Sequence, residues 1–410
     1  MISRAIVWMP PAAELMDLRS PVAGVPLLLR TLLTAQRAGV QDILLLGGSA
    51  GEVLLQGIRQ DRRLSARLRW AVDSPWPPLV QAMPDLERVW GEADLWVISA
   101  DAVIDAGLLR EMAECAVGQP LAVIGEWPQR SGQGETALWR VSGPWLRTLA
   151  QASPHLPLSS VLQDLHGRSD VEYVPNHGRL CARMLTDQDR QRAERALFVG
   201  LKSPSDGWVD RYVNRRVSAV WSRWLLRTSL TPNHVTLMSF AIGLLAALSF
   251  AQVGWLSGVL GALLLQCSAI IDCCDGEIAR LKFSESPGGY YLDITCDNVV
   301  HVAVFAAIAW SGFRAMGDGW ILMLGGLAVL GTIISFLIVL TTRHGRGRTH
   351  AGALDRWIDA LTTRDFSILL LPLALAGKLE WLLWALAIGV NLFWPIVLGL
   401  SWKSRRRAYG

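Results

Sequence analysis

The chain of 410 residues predicts an α/β soluble domain followed by an all-α bundle of six transmembrane helices. Three observations carry that expectation. Uncharged apolar stretches of membrane-spanning length fill the second half, strand-like and helical runs alternate in the first, and aspartates gather at the end of one spanning segment. The borders fall at a soluble domain over 1–197, a juxtamembrane helix over 198–230 and a membrane domain over 231–410. A positive mean hydropathy and 19 tryptophans agree with a chain partly immersed in lipid.

In the first half, 5–9 reads as a strand, and its end at Pro10-Pro11 argues against a cleavable signal peptide. Pro26 then opens a helix over 27–38, because a proline at a first turn sacrifices no hydrogen bond. Runs at 42–47, 68–72, 95–99 and 121–124 complete the α/β pattern.

Between the halves, residues 202–227 interleave Trp208, Tyr212, Trp221 and Trp224 with arginines, which suits an amphipathic helix lying in the membrane interface. Thr231-Pro232-Asn233 opens the first spanning helix. The six apolar stretches are 235–253, 255–271, 289–310, 320–340, 366–377 and 381–402. The fifth is short and is expected to begin earlier, around Thr362, and Asn391 and Pro395 are expected to pack or kink the sixth.

Basic residues gather before the first stretch, after the second (Arg280, Lys282), after the fourth (Arg343, Arg346, Arg348, Arg364) and at the tail (Lys403, Arg405, Arg406, Arg407). All four places lie on one side of the bilayer. The opposite turns carry little beyond Arg314, Asp318, Lys378 and Glu380, so an integral, multi-pass plasma or inner membrane protein is predicted with both termini and the aspartate cluster cytoplasmic. The net charge of +4 is therefore assigned to lipid headgroups and not to nucleic acid. Cys115, Cys181, Cys267, Cys273, Cys274 and Cys296 show neither zinc nor disulfide spacing, which fits a reducing setting.

The chemistry lies in Asp272-Cys273-Cys274-Asp275-Gly276-Glu277-Ile278-Ala279-Arg280, followed by Gly289, Asp293 and Asp297. Asp272, Asp275, Gly276, Ala279 and Arg280 share one helical face, and Asp293 and Asp297 share a face of the next helix. The short link through Ser284, Ser286, Pro287, Gly288 and Gly289 makes those helices antiparallel neighbours. Carboxylates brought together at membrane level suit Mg²⁺ or Mn²⁺, the glycines let a ligand approach the backbone, and Arg280 offers a planar cation to a diphosphate. A structural ion-pair network between the helices is the alternative, and four acids facing only Arg280 and Lys282 count against it.

At these residues the chain resembles the CDP-alcohol phosphotransferase (CDP-alcohol phosphatidyltransferase) family, whose signature D-x2-D-G-x2-A-R-x8-G-x3-D-x3-D is matched at each fixed position. The resemblance covers about 200–410 and implies a six-helix bundle that forms a homodimer. It also implies metal ligands at Asp272, Asp275 and Asp293, a general base at Asp297 that also touches metal, and a CDP-binding surface at Gly276, Ala279, Arg280 and Gly289. The implied reaction moves a phosphoalcohol group, a phosphatidyl group from CDP-diacylglycerol being expected, to an alcohol or polyol phosphate with release of CMP.

Other residues allow two readings each. His301, one turn past Asp297, can share a proton with that carboxylate or simply pack in the bundle. Arg364 can contact an acceptor phosphate or serve topology, and Asn214 and Arg215 carry a weaker form of the same choice.

The first half resembles Rossmann-like sugar-nucleotide and cytidylyl nucleotidyltransferases in its order of elements, with Asp101 where those enzymes keep a metal-binding aspartate. Their phosphate turn is glycine-rich and basic. Here 10–19 contains no glycine, Val22 stands where lysine is expected, and Arg19 alone remains to meet phosphate, so a degenerate domain is predicted. If that half were active, the chain would be a CDP-inositol-dependent inositol phosphate transferase with its own cytidylyltransferase. A silent membrane scaffold is a third reading, which the intact signature opposes.

Overall fold

The structure is a computed structural model and describes residues 2–9, 18–48, 50–75, 78–79, 93–114, 121–124, 137–163, 171–176, 178–201, 214–344 and 366–409. The chain divides into two compact units, one of Met1–Gly200 with Leu281–Phe283, the other of Leu201–Arg280 with Ser284–Gly410.

The first unit contains, in chain order, β1 (Arg4–Trp8), β2 (Pro21–Val22), β3 (Val25–Pro26), α1 (Leu27–Arg37), β4 (Asp42–Gly47), α2 (Ala50–Arg59), β5 (Arg67–Val72), β6 (Asp94–Ser99), β7 (Ala102–Ile104), α3 (Ala106–Glu114), β8 (Leu121–Ile124), β9 (Leu138–Ser142), α4 (Gly143–Ala152), α5 (Leu158–Gln163), β10 (Glu172–Pro175), β11 (Cys181–Arg183) and α6 (Asp187–Gly200). The main sheet has the order β10-β8-β9-β6-β1-β4-β5. β1 runs parallel to β4 and β6, and β4 parallel to β5, which gives a parallel centre. β9 lies antiparallel between β6 and β8.

The parallel centre follows from near-continuous apolar runs, the mark of strands covered on both faces. Successive residues of β1 serve opposite cores: Val7 packs with Leu28, Leu32 and Leu45, whereas Ile6 and Trp8 pack with Leu44, Leu46, Trp139 and Leu146. The sequence foresaw the strands at 5–9, 42–47, 68–72, 95–99 and 121–124. It missed β9, because Arg140 interrupts its apolar character; the buried Arg140 side chain donates to Asp94 at 2.7 Å and to the Met112 carbonyl at 2.6 Å.

The second unit contains α7 (Arg215–Leu225), α8 (Pro232–Phe250), α9 (Trp255–Leu281), α10 (Pro287–Met316), α11 (Gly319–His344), α12 (Phe366–Leu375) and α13 (Leu379–Tyr409). Thr231 caps α8 reciprocally with His234, with Pro232 in the first turn as its sequence predicts. Ser286 caps α10 by accepting from the Gly289 amide, and Gly317, at φ +76°, ends that helix in the left-handed conformation.

Among the described residues, five helices are long and apolar enough to cross a membrane: Pro232–Phe250, Trp255–Leu281, Pro287–Met316, Gly319–Ile338 and Leu379–Ile396. The predicted fifth of six corresponds to α12, which has only 10 described residues, and the earlier start expected near Thr362 lies outside the described ones. At about 1.5 Å per residue, such a helix spans roughly half of a hydrocarbon core about 30 Å thick.

Small residues bring the bundle together where no hydrophobic force separates helix from lipid. A Cβ on Gly243 of α8 would lie 2.7 Å from a Val300 methyl of α10, so only glycine allows this approach. Asn391 of α13 donates to the Leu327 carbonyl of α11 at 3.0 Å, and Gly331 leaves room for its amide. Asn391 thus packs the last span.

Candidate metal centre

α9 presents Asp272 and Asp275 one turn apart, and α10 presents Asp293. One carboxylate oxygen from each of the three lies within 4.8 Å of the others, close enough for one ion to touch all three. Asp272 and Asp275 are buried and Asp293 is half-buried. Hard oxygens in that number suit Mg²⁺ or Mn²⁺, which complete their shell with water or phosphate. Asp297, one turn further along α10, falls outside this group of three.

α8 supplies the contacts that orient the cluster. The Thr236 hydroxyl donates to Asp275 Oδ2 and approaches the Pro232 carbonyl at 3.2 Å. Ser239, one turn on, lies 3.4 Å from Asp272 Oδ1, and its carbonyl accepts from Ser268 at 2.7 Å. Thr236, Ser239 and Gly243 recur at i, i+3 and i+7, a hydroxyl and glycine stripe facing α9 and α10. No spacing rule joins them to the aspartates more than 30 residues away, so they do not stand out in the sequence. Their signal was burial-compatible polarity repeated on one face of an apolar helix.

The residues expected to meet CDP lie beside the cluster. A Cβ on Gly276 would lie 3.7 Å from a guanidinium nitrogen of Arg280, so that cation passes over the glycine. A Cβ on Gly289 would lie 3.2 Å from the Asn233 side-chain oxygen, which brings the start of α8 against the start of α10. Ala279 is half-buried on the same helix. His301 stacks on Phe305, with ring centroids 6.1 Å apart and planes 13° apart. Arg364, with Arg346 and Arg348, lies outside the described residues.

The opposite side of α9 faces α7. Asn214 accepts from Gln266 at 2.7 Å, and Arg215 pairs with the buried Glu277 at 3.3 Å. Val220, Trp221 and Trp224 stay exposed on the other face of α7, as an interfacial helix requires. Adjacent Cys273 and Cys274 point differently; Cys274 is buried against the Ser218 carbonyl and Cys273 is half-buried.

In the α/β unit, residues 10–17 of the predicted phosphate turn at 10–19 lie outside the described residues. Asp101 is described, is fully buried and is already engaged. Arg183 reaches Asp101 Oδ1 at 3.1 Å and Oδ2 at 3.0 Å, and Ser99 donates to Oδ1 at 2.5 Å. The Arg183 guanidinium also sits 5.5 Å from the Trp8 ring centre. Both Asp101 oxygens are thus engaged by a cation of their own chain, which weighs against the metal-binding role expected of this carboxylate.

Comparison with known proteins agrees with the membrane half. Residues 229–394 match the family CDP-alcohol phosphatidyltransferase. A "Bifunctional IPC transferase and DIPP synthase" of Archaeoglobus fulgidus is 37% identical over 155 residues, covering 38% of this chain and 30% of the relative. The protein of that name from Rubrobacter xylanophilus is 28% identical over 340 residues, covering 75% of this chain and 76% of the relative, so that likeness reaches well into the α/β half. A "Phosphatidylinositol phosphate synthase" of Mycobacteroides abscessus is 29% identical over 148 residues, covering 36% of this chain and 63% of the relative. The chain thus spans less than a third of the Archaeoglobus relative and less than two thirds of the Mycobacteroides one.

Proposed function

We propose, from a membrane half that carries a CDP-alcohol phosphatidyltransferase domain, that this chain transfers a phosphoalcohol group from a CDP-linked donor to an alcohol acceptor and releases CMP. The observation that carries the reading is the convergence of Asp272, Asp275 and Asp293 on one ion-sized volume inside a membrane helix bundle. Buried acids at membrane depth are costly unless they serve a site.

Asp272, Asp275 and Asp293 would hold the metal, with Thr236 and Ser239 fixing two of these carboxylates. A Mg²⁺ or Mn²⁺ ion held there would neutralise charge building up on the diphosphate and the departing CMP. Arg280 would receive diphosphate oxygens with its planar fork, Gly276 would let the nucleotide approach the backbone, and Gly289 would admit Asn233 and Ser286 close beside it. Asp297, outside the three-carboxylate group, would take the proton of the acceptor hydroxyl as its oxygen attacks the β-phosphorus. A new P–O bond forms, the bond to CMP breaks, and the proton rests on Asp297.

Two donors are in play. CDP-diacylglycerol would make the chain a phospholipid synthase, a reading in line with the printed activity of the Mycobacteroides relative. A CDP-inositol donor is favoured by the name shared by the Archaeoglobus and Rubrobacter relatives. The engaged Asp101 argues that this chain does not make such a donor itself. We place the protein as a homodimer in the plasma or inner membrane with its site facing the cytoplasm, where CMP is recycled. Purified full-length protein incubated with Mg²⁺, an acceptor panel and either CDP-diacylglycerol or CDP-inositol should release CMP with one of them. Release with neither donor would leave the scaffold reading standing.

A further inference from the structure

We propose that Glu277, gripped by Arg215 and Ser218, is a positioning residue that fixes the rotation of α9 and so places Asp272 and Asp275. The inference rests on the transferase reading of the carboxylate cluster. Glu277 is 2% exposed, and its Oε1 accepts from Ser218 Oγ at 2.9 Å and from Arg215 at 3.3 Å. Its Oε2 has no hydrogen-bond partner among the described residues.

A half-satisfied buried acid paired with one arginine is a poor way to stabilise a bundle, since apolar replacements of such pairs are often neutral or stabilising. What a polar pair supplies is register. Other contacts of this region among the described residues have the same character: Asn214 to Gln266, Cys274 to the Ser218 carbonyl, and the buried Ser222. Small polar residues pack closely but give an interfacial helix little to stop it turning against its neighbour. The charged contact at Glu277 selects one angle.

That angle matters because α9 is two-faced. Glu277 lies two residues from Asp275, about 200° round the helix, so the grip and the metal site occupy opposite sides. A turn of about 10° at a radius of about 5–6 Å moves each carboxylate by about 1 Å. Metal–oxygen distances tolerate only about 0.2 Å. Asp293, carried by α10, would not move with them, so the three ligands would no longer converge.

The test uses the full-length protein in nanodiscs and follows Mn²⁺ binding by electron paramagnetic resonance, with thermal unfolding alongside. The double variant Glu277→Met with Arg215→Met removes the pair without leaving a lone buried charge. We expect it to fold with an unfolding temperature at or above that of the parent, yet to bind Mn²⁺ roughly tenfold more weakly, within the range for ligand-orienting partners. The half-saturating metal concentration for CMP release should rise by the same factor, while the rate at saturating metal changes less. Unchanged Mn²⁺ affinity in a folded double variant would overturn the proposal, because a purely structural pair shifts only the unfolding temperature. Should the double variant fail to fold, Glu277→Gln decides instead: weaker Mn²⁺ binding supports positioning, and parental binding refutes it. Parent protein that binds no Mn²⁺, indistinguishable from Asp293→Asn, would remove the metal centre and this inference together.

Discussion

Replacing Thr236 by valine tests whether the α8 hydroxyls belong to the metal centre. Valine keeps the shape of threonine, so packing of this buried side chain against α9 is retained and the change removes only the hydroxyl, which serves Asp275 and, within its own helix, the Pro232 carbonyl. A hydrogen bond to a charged group contributes about 1.5–3 kcal/mol. At about 1.4 kcal/mol per tenfold, the ligand geometry it maintains is worth roughly one to two decades of ion affinity, matching the loss of about 10–100-fold seen when ligand-orienting partners are removed from other sites. The opposing effect is the extra basicity of a carboxylate relieved of its donor, which strengthens binding. Orientation should win, because Asp275 must converge with Asp272 and Asp293 within 4.8 Å and loses the contact from α8 that holds it in that rotamer. Mn²⁺ titration of the full-length protein should show that weakening for Thr236→Val and little change for Thr236→Ser. Parental or tighter binding by the valine variant would refute the argument.

Asp297→Asn should largely spare metal and donor binding but lower CMP release at saturating substrate by about 10²–10⁴-fold, whereas Asp272→Asn or Asp293→Asn should first weaken metal binding. If Asp297→Asn turns over normally, His301 becomes the next base to test. Gly243→Ala should lower the unfolding temperature by an amount equivalent to about 1–3 kcal/mol, since its methyl meets Val300, and Val300→Ala should restore it. Given CTP and a polyol phosphate, the full-length protein should release no pyrophosphate; release would show that the engaged Asp101 does not silence the α/β unit. Cysteines placed at Asp318 and Glu380 should react with an impermeant reagent outside intact cells and those at Ser286 and Ser404 should not, the reverse pattern overturning the orientation.

The carboxylate cluster was legible because its ligands come from adjacent helices in one short signature, where spacing alone fixes which residues face together. The strands β1, β4 and β6 were legible for a similar reason, since each is a largely apolar run. What escaped depends on partners distant in sequence. Thr236 and Ser239 look like ordinary small residues until α8 packs on α9. Glu277 occupies a variable place in the signature and gains meaning only from Arg215 and Ser218, some 60 residues earlier. Arg183 lies 82 residues from Asp101, and nothing about either residue alone announces that one satisfies the other. The fifth span was hard to delimit for a different reason: an apolar run shorter than the bilayer leaves its end to be set by neighbours.

The Arg183–Asp101 pair gives the two halves different responses to chelation. An aspartate neutralised by a guanidinium on its own chain needs nothing from solution to be folded and charge-balanced. Three carboxylates that converge within 4.8 Å repel one another less once an ion sits between them, so their helices gain cohesion as free metal rises. Adding EDTA should therefore lower the melting of the membrane bundle and leave that of the α/β sheet where it was. One polypeptide would then show two transitions that separate as metal is withdrawn and approach each other as it is restored.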